Sequence, residues 1–148
     1  MKSLLLLLLV FLSLVEAREY KAIFDCSSGD ASYIKSRMWL IGKTIDMMQS
    51  KGDTTDVVLT LHGSCVAMIS EDYEFIVPDE DLENIKKAQE FLTKLAKEKS
   101  VKVIACQMSL NANAIDKESV LPFVKITPNS FIETIGYQND GYALMTFK

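Results

Sequence analysis

The sequence predicts an α/β fold, a three-layer α/β/α sandwich around a mostly parallel sheet of about five strands. Short apolar, β-compatible runs alternate along the chain with segments of helical period. Those runs lack the in/out alternation of a sheet with one wet face, so both faces are expected to be covered. No linker or low-complexity stretch interrupts the series, and residues 18–148 are expected to form a single domain.

The elements follow in order. Residues 22–26 (AIFDC) read as a short buried strand. A Gly/Ser/Asp turn at 28–32 can cap a helix, on which Ile34, Met38, Ile41, Ile45 and Met48 recur on one face until Gly52. Residues 57–61 (VVLTL) form the second strand, ending in His62-Gly63-Ser64-Cys65, and residues 66–78 show no period. Leu82, Ile85, Ala88, Leu92 and Leu95 mark a second amphipathic helix, with Lys86, Lys87, Lys94 and Lys97 as its solvated face. Residues 101–105 (VKVIA) are the third strand, followed by a short helical or loop segment up to Leu121-Pro122. A fourth strand fits 123–126. Ser130 and Glu133 suggest a capping box for a last short helix, and Asn139-Asp140-Gly141 turns into a final strand at 142–147.

Residues 4–15 are almost unbroken apolar, and Val15-Glu16-Ala17 offers small residues where a signal peptidase cuts. The expectation is a secretory signal peptide over 1–17, cleaved after Ala17, and a periplasmic or secreted protein. The run is too short for a membrane span, which takes about 20 apolar residues. A domain of about 130 residues remains, with no membrane span and room for a real core. The formal charge of −4 and the lack of a basic stripe argue against nucleic acid as a partner. No nucleotide-binding glycine pattern, paired catalytic carboxylates or Ser/His/Asp arrangement is visible, so no organic cofactor is expected.

Each of the first three strands ends at or just before a cysteine: Cys26, Cys65 and Cys106. Parallel strands bring their carboxyl ends to one edge, where ligands bind in such sheets, and the lone histidine, His62, arrives with them. Cys106 is the candidate nucleophile, since a thiolate at a strand mouth followed by a polar loop or helix start over 107–113 has its pKa lowered by backbone N–H groups. His62 is the candidate for moving a proton to or from sulfur. Cys65 is read first as a second reactive thiol, then as half of a disulfide, then as filler; for Cys26 the order is reversed. Three cysteines leave at least one unpaired by bridging within the chain.

VVLTLHGSCV, then a helix, then VKVIACQMSLNANAI and LPFVKITPNSFIETIGYQNDGYALM resemble the DsrE/DsrF-like family of small sulfur-handling proteins. The resemblance covers essentially the whole domain and maps the family's sulfur-carrying cysteine onto Cys106. It implies a flavodoxin-like arrangement of the sheet, a homo-oligomer (trimer or hexamer), and sulfur held as a cysteine persulfide for relay to a partner. Two features depart from the family pattern. Gln107 stands where a glycine is common, and Asn111 and Asn113 stand where a basic residue follows; the leader is the other departure, since relay members work in the cytoplasm.

The leading expectation is therefore a small sulfur carrier or sulfur-binding protein that takes sulfur on Cys106 from a sulfane-sulfur donor, with His62 and Cys65 assisting. A different class of function, soft-metal binding, would use Cys/His/Met donors at the same edge, His62 and Cys65 with Cys106, Met108 and Cys26 or Met68, to hold copper(I) or zinc. A third is an interaction module with inert thiols, in which 66–78 serves as an oligomer contact.

Overall fold

The computed structural model describes residues 17–147. The expected leader, apart from Ala17, lies outside the described residues. Five strands, β1 (Glu19–Cys26), β2 (Thr54–Leu61), β3 (Lys102–Cys106), β4 (Lys125–Thr127) and β5 (Ala143–Phe147), form one sheet in the order β4-β3-β2-β1-β5. Every neighbouring pair is parallel. The chain steps from β1 to β4 in one direction and then returns past β1 to lay down β5, an order distinct from the 2-1-3-4-5 of flavodoxin itself.

Right-handed crossovers turn that path into layers. Helices α1 (Ala31–Gln49) and α2 (Leu82–Glu98), which join strands stepping the same way, pack together on one face. The short α3 (Gln107–Ala112) follows β3 and buries Leu110 in the same core. The return step carries α4 (Ser130–Asn139) onto the opposite face.

Asp30, in extended conformation, starts α1 by accepting the Tyr33 N–H at 2.9 Å. The helix buries Ala31, Ile34, Met38, Ile41 and Ile45, with Met48 only half-buried. Helix α2 buries Ile85, Ala88, Leu92 and Leu95 and leaves its four expected lysines in water. Strand alternation divides the sheet's side chains between the faces. Cys26, Leu59, Leu61, Val103, Ala105 and Phe147 join the large core beneath α1 and α2. Ile23, Val58, Ile104 and Tyr142 make a smaller one with Tyr137 of α4 and Leu144.

Two local expectations are corrected. The strand expected at 123–126 is β4 at Lys125–Thr127. The cap of α4 is Asn129, whose side chain accepts the Phe131 N–H at 3.0 Å, while Ser130 is the first helical residue and Glu133 reaches Lys125 instead. Asn is among the best N-caps, and Asn129 has the extended backbone a cap requires. The aperiodic stretch after β2 is a series of 3₁₀ turns, and Val66, Met68 and Ile69 within it are fully buried.

At the start of β5, the Tyr142 hydroxyl donates to Asp56 at 2.6 Å, and Lys102 pairs with the same carboxylate at 3.0 Å. Burial raises the Asp56 pKa, but the Tyr142 and Lys102 hydrogen bonds outweigh it and hold the carboxyl below its usual range. Burial and the facing carboxylate push the Tyr142 phenol far above its own. A depressed carboxyl pKa stabilises the fold above the ordinary carboxylate range and ceases to do so as pH falls through the folded value. Tyr142→Phe is expected to cost about 1 kcal/mol at pH 7 and less near pH 2, a difference that urea unfolding at the two pH values reads directly.

Candidate thiol site

The point where successive connections leave the sheet on opposite faces lies between β3 and β4, and it shapes the site. The segment after β3 turns into α3 on one side of the sheet and the segment after β4 into α4 on the other. The carboxyl end of β3 therefore lies between the starts of two helices, and Cys106 is the residue there, the last of β3 and the N-cap position of α3.

Alternation places the Cys106 side chain on the α4 face with Ile104. Burial of the sulfur raises its pKa. Against this act the backbone N–H groups of Ser130 and Ser109 and the hydroxyls of the same two residues, and the net effect holds the thiol below its ordinary range. The Ser109 hydroxyl accepts the Gly63 N–H at 2.9 Å, which leaves its own proton to give to the sulfur. Ser130 Oγ, fully buried, finds no partner of normal geometry; the sulfur anion is the acceptor within its reach. Cys106 is only 5 % exposed, a buried thiol where the sequence led to the expectation of one at an open strand mouth.

Leu61 of β2 pairs with Ala105 of β3, and His62, one residue on and still extended at φ −146°, falls alongside Cys106 on the same face. Its Nε2 is 3.1 Å from Asp25 Oδ2, and Thr60 donates to the other carboxylate oxygen at 2.6 Å. The Phe131 ring of α4 packs edge-on against the imidazole. Asp25, Thr60, His62 and Cys106 thus form a polar row across three strands at the α4 edge. No hydrogen bond joins His62 to Cys106 among the described residues.

Cys65 is placed elsewhere. It is joined to Cys26 in a disulfide with Cα atoms 5.9 Å apart, both residues fully buried in the core under α1 and α2. All three cysteines do reach the carboxyl edge, but the bonded pair lies on the face opposite the free one. The expectation of a second reactive thiol at Cys65 is corrected: bonded to Cys26, it has no thiol to offer. The periodicity reading used a strand's end and missed its alternation, which sends Cys26 and Asp25 to different faces.

Sequence reasoning also missed Asp25, Thr60, Ser109 and Ser130. One signal was readable, a carboxylate inside the apolar run AIFDC, since a charge on a covered strand needs a partner. The serines carried no such mark, because their role depends on where two helices begin in space.

The sequence profile of the DsrE/DsrF-like family matches residues 21–147. An uncharacterised protein of Aquifex aeolicus (strain VF5) is 37% identical over 131 residues, covering 88% of this chain and 57% of the relative, so the chain spans little more than half of that protein. Among solved structures, the protein of unknown function MTH1491 from Methanobacterium thermoautotrophicum superposes with a TM-score of 0.63 at 16% identity, over 86% of this chain and 99% of that one. The ychN protein from E. coli gives 0.55 at 16% identity with the same coverage, 86% and 99%. These two share the fold. The profile match runs from β1 to the end of β5 and takes in every residue of the thiol site: the chain belongs to the DsrE/DsrF-like family.

Proposed function

We propose that this protein is a thiol-based sulfur carrier that accepts a sulfane sulfur on Cys106 and holds it as a persulfide. The observation that carries the reading is the placement of the free thiol at the carboxyl end of β3 and the N-cap position of α3, in one row with the His62–Asp25 pair; there Ser109 and Ser130 hold its pKa below the ordinary range, which favours the thiolate, the form that attacks sulfur. In the transfer, the Cys106 thiolate attacks the outer sulfur of a donor persulfide R–S–SH. The donor S–S bond breaks, a Cys106 S–S bond forms, and R–S⁻ leaves with the electron pair; no external oxidant is consumed. His62, held by Asp25, is positioned on the same face to supply a proton to the leaving thiolate.

The donor and recipient, proteins or small molecules, belong to the same proposal, as do a homo-oligomer (trimer or hexamer) and a periplasmic or secreted location. The leader-like sequence supports that location, and so does the Cys26–Cys65 bond, since such bonds persist in oxidising compartments.

Whole-protein mass spectrometry after polysulfide treatment tests the reading. Wild type is expected to gain about 32 mass units per added sulfur, reversibly with dithiothreitol, and Cys106→Ser to gain none; an equal gain in the variant sinks it. Asp25→Asn, which leaves His62 unoriented, is expected to slow transfer from a small persulfide donor about tenfold or more at pH 7 in stopped-flow assays.

The soft-metal reading loses Cys26, Cys65 and Met68 and keeps only His62, Cys106 and Met108. Cys26 and Cys65 are bonded to each other, Met68 is buried beneath the opposite face, and no group of three or more His, Cys, Asp or Glu able to hold a metal forms among the described residues.

A further inference from the structure

We propose that the Cys26–Cys65 disulfide is a positioning element for the thiol site, holding in place the turn that binds Ser109 and Asn113 of the α3 region, the helix whose N-cap position is Cys106. The inference rests on the carrier reading for its purpose, though not for its geometry.

The connection can be followed bond by bond. Cys26 ends β1, and its carbonyl accepts the His62 N–H at 2.9 Å. Its sulfur is bonded to Cys65, which sits in the 3₁₀ turn that opens at Gly63. The residues from His62 to Cys65 are therefore tied to the end of β1 at both of their ends, once by hydrogen bond and once covalently. Gly63 adopts φ +55°, and a Cβ there would come within 3.2 Å of the Ser27 carbonyl, so the turn lies tight against the chain leaving β1. From this clamped turn, the Gly63 N–H reaches the Ser109 hydroxyl and the Gly63 carbonyl accepts from Asn113 Nδ2 at 3.2 Å. Both partners belong to the α3 region, and Asn113 also binds the Ser109 carbonyl at 2.8 Å. A covalent bond under one face of the sheet thus fixes Ser109, three residues along the chain from the free thiol.

The test uses the mature chain with Cys106 as its only free thiol, in wild type and in Cys26→Ala/Cys65→Ala. Iodoacetamide alkylation rates are measured from pH 5 to pH 11, and folding is checked by near-UV circular dichroism. The expected result is a midpoint about one pH unit higher without the disulfide, with persulfide loading at high pH retained. In a Ser109→Ala background, removing the disulfide should add little, because the hydroxyl it positions is already gone. A folded double variant with the wild-type midpoint, or an equally large shift with and without Ser109, overturns the proposal. Should the double variant fail to fold, Asn113→Ala loosens the connection at its other end and must also raise the midpoint; an unchanged profile overturns the proposal there too. A low wild-type midpoint untouched by these changes sinks this inference alone. A wild-type midpoint in the ordinary thiol range sinks the carrier reading.

Discussion

With Ser109 and Ser130 both replaced by alanine, Cys106 is expected to titrate about one to two pH units above wild type, and its alkylation at pH 7 to slow by about tenfold or more. The hydroxyls are two of the four groups that favour the thiolate; the two backbone N–H groups remain, so part of the depression should survive. Burial of the sulfur is unchanged or increased, and it now meets weaker opposition. A pKa held below the unfolded value also gives a sign to the stability profile. The thiolate contributes stability above the ordinary thiol pKa, and the contribution is lost as pH falls through the folded value. Wild type should therefore gain stability relative to the double variant as pH rises across that window. Urea unfolding at pH 6 and pH 9 measures it, and parallel curves for the two proteins would mean that the serines do not act on the sulfur.

Removing the disulfide has the larger effect on stability. It closes a segment with a sequence separation of 39, and the chain-entropy account of such a loop gives about 4 kcal/mol. Both residues are fully buried, so alanine at 26 and 65 also leaves space where the sulfurs packed. The double variant is expected to unfold at a Tm more than about 10 °C below wild type. A loss under about 1 kcal/mol in urea unfolding would mean that the closed segment is already ordered in the unfolded chain.

Much of the fold was legible because its signals are periodic. The apolar faces of α1 and α2 could be read from spacing alone, and so could the five strands, since a covered parallel strand is a plain apolar run. Strand order could not be read: nothing in the residues after β4 says that the chain turns back past β1. The site was legible to the same degree. Cys106 and His62 were found because strand ends converge, and the pairing of Cys26 with Cys65 stayed one of three readings because it depends on which face each residue joins. Ser130 was read as a cap from its spacing to Glu133. Its neighbour Asn129 took that task, which leaves the buried Ser130 hydroxyl unpaired at the start of α4.

The position of α4 also bears on how the protein is made. Cys106 emerges from the ribosome before β4, which pairs with its strand, and before Ser130. Until those last residues have folded back across the sheet, the thiol lacks the two Ser130 groups that help to lower its pKa. On the carrier reading proposed above, a chain truncated before Ser130 is expected to accept sulfur more slowly than the finished molecule, which mass spectrometry after polysulfide treatment reads.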